Sequence, residues 1–120
     1  MAEDCRQYFM VEHNGDIYPC DFFNEPEWRL GNIMEDEWSA LYHNKLYRDF
    51  GHRKRRWNSA CDSCEWVKYC AGDCPKHRYL KSRQSNQLSY LCAAWKQFYS
   101  HTMPRFERLA AQISATGAVQ

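Results

Sequence analysis

No stretch of this 120-residue chain approaches the roughly 18 to 20 consecutive apolar residues of a membrane-spanning helix, so a membrane span is excluded from the expectations. The first residues, Met1-Ala2-Glu3-Asp4, are acidic and lack an apolar stretch, unlike a secretory signal or a transit peptide. That lack predicts a cytoplasmic protein, held in a reducing compartment. Charge of either sign is not in surplus: 16 Lys and Arg against 15 Asp and Glu leave a net +1. No long-range field therefore directs the chain to nucleic acid or to anionic lipid, and the basic runs at 52–56 and 76–78 read as solvated faces. Aliphatic side chains are thin. Much of the 44% hydrophobic fraction is Trp, Tyr and Phe, and small domains so built usually lean on disulfides or metals. Internal repeats and low-complexity segments are missing as well. The length allows one domain, or a piece of a larger chain.

What the chain has instead is cysteine, and an odd number of it. Seven cysteines cannot close into a complete disulfide framework, and in a reducing compartment they bind metal more readily than they pair. Four fall within fourteen residues, as Cys61-x2-Cys64-x5-Cys70-x3-Cys74, and Cys92 follows after seventeen more. Cys5 and Cys20 lie near the N-terminus. Zinc asks for four tetrahedral ligands, often as two C-x2-C knuckles. Only Cys61 and Cys64 form one here. A 4Fe–4S cube takes one thiolate per iron at more widely spread corners, which suits short mixed gaps plus a remote cysteine. On spacing alone both stay open, zinc as the ligand of an interaction module and iron–sulfur as a redox centre. Seven ligands make four plus three, so one site closes and one lacks a donor. That donor could lie upstream of Met1, be a side chain such as His13, or come from a substrate.

The surrounding pattern predicts a small α+β fold, with an N-terminal β-hairpin, irregular cysteine-rich loops and C-terminal helices. Asn14-Gly15 between two β-prone runs over 8–20 signals a type I′ turn, which would bring Cys5 and Cys20 toward each other. Residues 21–31 read as irregular. Asn32 is a candidate cap for a helix through Glu35, Asp36 and Glu37, with Trp38, Leu41, Tyr42 and Leu46 as its buried stripe. A second helical piece is expected over about 45–56. Gly72 and Pro75 forbid a long helix in the cysteine loop 61–75, and Gly72 lets backbone approach a bulky ligand. Residues 76–87 read as an exposed loop. A helix is expected from about Leu88, with Leu91, Trp95, Phe98 and Tyr99 on one face. Pro104 then suits the first turn of a further helix over 105–114 that turns Phe106, Leu109, Ala110 and Ile113 inward. Residues 116–120 read as a frayed tail.

Taken together, Cys5-x9-Gly15-x4-Cys20, then Cys61-x2-Cys64-x5-Cys70-x3-Cys74, then Cys92 resembles the seven-cysteine SPASM pattern. Such domains form the C-terminal part of radical S-adenosylmethionine enzymes that modify peptides. The wording around the cysteines is similar to one subfamily, the anaerobic sulfatase-maturating enzymes. It includes Gly15-Asp16-Ile17-Tyr18-Pro19-Cys20-Asp21, Leu30-Gly31-Asn32-Ile33, Cys70-Ala71-Gly72-Asp73-Cys74-Pro75, and Leu91-Cys92 followed by Trp95 and His101.

The resemblance implies two 4Fe–4S clusters. One would take Cys61, Cys64, Cys70 and Cys92; the other Cys5, Cys20 and Cys74 with a further cysteine this chain does not carry. It also implies that Asp21 is the acid that accepts the substrate's proton, and that a sulfatase-type peptide is the substrate. The catalytic barrel of such enzymes, with its Cys-x3-Cys-x2-Cys triplet for S-adenosylmethionine chemistry, has no counterpart here. Residues 1–115 are thus expected to be a cluster domain that does not catalyse alone. Trp66, Tyr69 and Trp95 would bury the closed cluster. Asp73 stands where such enzymes commonly carry a second glycine.

Overall fold

The computed structural model describes residues 2–79 and 86–117. A three-stranded antiparallel sheet opens the fold, with β1 (Met10–Val11), β2 (Asp16–Tyr18) and β3 (Gly31–Asn32) in that spatial order. The hairpin is where Asn-Gly puts it, but its turn is not type I′. Met10 pairs with Tyr18 and Val11 with Ile17. Gly15 N–H donates to Glu12 O at 2.9 Å and Glu12 N–H to Asp16 O at 2.8 Å. His13, Asn14 and Gly15 form a three-residue loop in which only Gly15 is left-handed, at φ +87°. This is a β-turn closed by a glycine bulge, the next commonest hairpin solution. The third strand, which joins the last residue of the stretch read as irregular to Asn32, is two residues long, too short to show an alternating pattern.

α1 spans Trp38–Tyr42 and begins after Glu37, so Asn32 caps no helix. Asn32 instead ends β3, its side chain bonded to Asn14 O and to Asp16. Of the expected stripe, Leu41 is buried and Leu46 half-buried, while Trp38 and Tyr42 are about half exposed. α2 spans Lys45–His52 and is capped by the Asn44 side chain, which accepts from Leu46 N–H at 2.8 Å. A 3₁₀ turn over Arg53–Arg55 extends it, close to the expected end. Ile17, Leu30, Leu41 and Tyr47 form the core between sheet and helices. Tyr47 ties the edge of the sheet down by donating to Tyr8 O at 3.0 Å. A second cluster sets Phe23 edge-on to Trp28, Phe50 and Tyr79, with ring centroids 5.2–5.5 Å apart. Such pairs add about 0.5–1.5 kcal/mol each beyond burial, which offsets the scarcity of aliphatics.

The cysteine stretch is a chain of single turns: 3₁₀ at Ser59–Cys61, then α3 (Val67–Cys70) and α4 (Pro75–Arg78). Pro75 sits at the start of α4, where its missing N–H costs nothing. Residues 76–79 are therefore not an exposed loop, and Arg78 is 1% exposed. Of the remainder of that expected loop, 80–85 lie outside the described residues, as does the end of the tail, 118–120, while Asn86 and Gln87 form a turn. The basic run at 52–56 is a solvated face only in part, at His52, Arg55 and Arg56. Lys54 is buried and the Arg53 guanidinium lies 4.5 Å above the Trp28 ring.

The last element is one helix, not two. α5 runs Cys92–Ala115 straight through Pro104. Proline there removes the bond to the Ser100 carbonyl, but Ser100 is exposed and that carbonyl is left in water. The helix also starts four residues later than expected, because Ser89 is drawn into the cysteine loop. Phe106, Leu109 and Ile113 do share a face, and it is exposed; no residue of α5 is buried. Helical spacing fixes which side chains share a side, not whether anything covers it. No helix among the described residues is long and apolar enough to cross a membrane.

Candidate iron–sulfur site

All seven cysteines are free and half-buried, and they fall into two groups. Cys61, Cys64, Cys70 and Cys92 line one pocket, walled by Trp66, Val67 and Trp95 and floored by Gly72. Local structure explains the convergence. The Asn58 cap turns the chain at Cys61, a turn puts Cys64 N–H on Cys61 O at 3.0 Å, α3 ends at Cys70, and Cys92 is the first residue of α5. The second group is Cys5, Cys20 and Cys74, for Cys5 lies within the electrostatic reach of both others. Cys5 is brought there by its N–H bond to Gly51 O, Cys20 by the hairpin, and Cys74 by the turn before α4.

Burial pushes the Cys5 thiol up to about 11, and it raises Cys20, Cys61 and Cys70 as well. Thiols so placed stay protonated until a bound cation displaces the proton. The closed set fits a group of iron and sulfide on a further count. Trp95 Nε1 is buried and makes no well-formed hydrogen bond among the described residues, and such a donor in the wall of the four-thiol pocket suits an acceptor sulfur. Among the described residues, no three His, Cys, Asp or Glu side chains are gathered as they would be around a single metal ion. His13 is 92% exposed beside Glu12.

The loop between the groups is unusual backbone. Ala71, Gly72 and Asp73 are consecutively left-handed, at φ +47°, +67° and +63°. The two non-glycine residues cost about 1–2 kcal/mol each in that conformation. Arg78 holds the run in place by donating to Ala71 O, Gly72 O and Asp73 O at 3.1, 2.7 and 2.8 Å. Asp73 takes a left-handed conformation that glycine adopts without strain, and its carboxylate accepts from Ser89 Oγ at 2.6 Å and contacts His77 Nδ1 at 2.8 Å. Burial works against that charge, yet these bonds and the Cys74 N–H hold the carboxyl below its usual range. The Trp95 indole, close by, also lowers it, though its Nε1 makes no well-formed hydrogen bond there.

Trp66, Tyr69 and Trp95 do gather beside the closed set, around a ring that sequence reasoning passed over in this role. Tyr99 stacks on Trp66 at 5.9 Å and on Trp95 at 5.7 Å, and packs on Tyr69 at 5.9 Å. Its position seven residues after Cys92, two helical turns along one face, was the available signal. Tyr8 was missed too. Its phenol donates to Asp21 Oδ1 at 2.8 Å and lies 3.5 Å from Cys20 Sγ. Asp21 is exposed, and the Tyr8 bond, followed by one from the Cys20 thiol at 3.3 Å, holds its carboxyl below the usual range. The hairpin register, carried outward, sets Tyr8 across from Cys20; a two-residue turn at Asn14-Gly15 would have set Phe9 there, so the expected turn did not give this contact.

This constellation of thiols on hairpin, loop and helix is that of a cluster-binding domain. The profile of SPASM, an iron-sulfur cluster-binding domain, matches residues 5–65, and the chain belongs to that family. It is 33% identical over 113 residues to the cysteine-type anaerobic sulfatase-maturating enzyme of Clostridium perfringens (strain 13 / Type A), covering 94% of this chain and 30% of that one. To the serine-type enzyme of Bacteroides thetaiotaomicron it is 31% identical over 115 residues, covering 94% and 28%. A solved structure, native anSMEcpe with bound AdoMet and Kp18Cys peptide, superposes with a TM-score of 0.86 at 32% identity, over 94% of this chain and 31% of that one. The chain thus spans about 30% of the length of the curated relatives it matches.

Proposed function

We propose that this chain is the auxiliary-cluster domain of an anaerobic sulfatase-maturating, formylglycine-generating radical S-adenosylmethionine enzyme, working in the cytoplasm on a sulfatase-type peptide. The observation that carries the reading is the division of seven cysteines into a pocket of four and a group of three. Cys61, Cys64, Cys70 and Cys92 would hold one 4Fe–4S cluster. Cys5, Cys20 and Cys74 would hold another, with its fourth position filled by a donor from outside these 120 residues. When bound, such clusters supply one-electron acceptors whose potential follows burial and hydrogen bonds to sulfur.

The protein's own share is binding and proton handling. Asp21, exposed beside Cys20 and kept ionised by Tyr8, is placed to take the proton of the substrate's thiol or hydroxyl. The aromatic wall of Trp66, Trp95 and Tyr99 keeps water from the closed set. On this reading S-adenosylmethionine and the radical-generating barrel would belong to sequence outside these 120 residues, which cover 30% of that relative. A zinc-binding interaction module has less support, since the thiols surround a pocket rather than a point. Anaerobic reconstitution with iron and sulfide separates the two. The cluster reading expects acid-labile sulfide, broad charge-transfer absorption and a paramagnetic signal on reduction. Zinc retained without sulfide would replace it.

A further inference from the structure

Between the two cysteine groups the fold buries two cationic side chains. Lys54 is 4% exposed and Arg78 is 1% exposed. Both converge on the left-handed run that joins Cys70 of one group to Cys74 of the other: Lys54 Nζ donates to Asp73 O, and Arg78 to the three carbonyls named above. The field of Lys54 is felt at Cys5 and at Cys70, one cysteine from each group. That of Arg78 is felt at Cys5 and at Cys61, again one from each. The carboxylate both cations feel is Asp73, itself engaged by Ser89 and His77.

Holding backbone carbonyls does not call for charge, since an amide side chain donates as well. Burying a cation is expensive unless negative charge meets it. Asp73 supplies one such charge to both; clusters held by cysteines on either side would add to it. We propose that Lys54 and Arg78 are the shared counter-charges of the two clusters, raising the reduction potential of each and so favouring uptake of an electron. The inference rests on the cluster reading above. Reduction adds one electron and one negative charge to a cluster, and a fixed cation close by stabilises that state most.

The test is a potentiometric titration with dithionite as reductant, followed by electron paramagnetic resonance, on the anaerobically reconstituted chain. Lys54→Met should lower the equilibrium constant for reduction about tenfold, a shift of about 59 mV to more negative potential for a one-electron couple. Lys54→Gln, which keeps a donor and drops only the charge, should shift the same way. Lys54→Arg and Arg78→Lys, which keep the charge, should titrate close to wild type. Unshifted potentials in Lys54→Met and Lys54→Gln at unchanged iron and sulfide content would overturn the assignment. A shift in Lys54→Arg as large as that in Lys54→Met would do so too, by tying the effect to packing. Wild-type chain that takes up no iron and sulfide would instead sink the cluster reading itself.

Discussion

The Tyr8 phenol donates a 2.8 Å hydrogen bond to Asp21 Oδ1, joining the start of the hairpin to the residue after its second cysteine. This bond is the first cause of the lowered Asp21 carboxyl pKa. A base acts only when deprotonated, so a lowered pKa extends its range toward acid. In the intact enzyme carrying this domain, Asp21→Asn should cut turnover about 10²–10⁴-fold. Tyr8→Phe should move the acid limb of the pH–rate profile upward, as Asp21 returns toward its ordinary value. Full turnover in Asp21→Asn removes the base role from this residue.

The two cysteine groups predict separable losses. On the cluster reading, Cys92→Ser takes a ligand from the set it forms with Cys61, Cys64 and Cys70, which share its pocket. Iron and sulfide bound there should be lost, while Cys5→Ser should leave that share in place. Parallel metal and sulfide analysis of both variants checks it. Equal losses in both would mean that the groups are not independent sites.

Gly72 makes a local prediction about the loop. At φ +67° a side chain is strained, and a Cβ there would meet Trp57 Cβ at 2.6 Å and Arg78 Nη2 at 2.7 Å. The first of these neighbours sits close to backbone and cannot swing away. Gly72→Ala should therefore destabilise the chain by about 2–4 kcal/mol, combining the left-handed and overpacking costs. Chemical denaturation measures it, and a change within about 0.5 kcal/mol, ordinary for a surface site, would mean that the loop relaxes freely.

The cysteine spacing displayed most of the four-thiol pocket because residues joined by single turns converge over short distances along the chain. What it hid was set by tertiary packing. Arg78 sits in a basic triplet that looks solvated, and the left-handed carbonyls of residues 71–73, with that of Lys54, call it inward. Asn14-Gly15 marks a turn in either hairpin type, so one extra loop residue, and with it the register that faces Tyr8 to Cys20, was not decided by those two letters. Pro104 reads as a helix start, yet a carbonyl left in water makes continuation tolerable. The apolar face of Phe106, Leu109 and Ile113 has helical spacing and no cover, a distinction no periodicity contains.

Asp16 gives the chain a pH-dependent tie at the sheet. Its carboxylate accepts from Asn32 Nδ2 at 3.0 Å and from Arg29, whose Nε and Nη2 lie at 2.8 and 2.7 Å. The Asn32 bond and then the Arg29 bond hold its pKa below the unfolded value. A depressed carboxyl stabilises the fold above the unfolded pKa, about 3.9, and loses that contribution as pH falls through the folded one. Asp16→Asn abolishes the charge at every pH. The difference in melting temperature between wild type and Asp16→Asn should thus stay level from neutral pH down to about 5 and narrow below about 4, near the carboxylate range. Paired samples cancel any loss of iron in acid, because both chains carry the same cysteines. A gap that widens as the solution is acidified would mean that Asp16 is bound more tightly as the neutral acid, contrary to the Arg29 geometry.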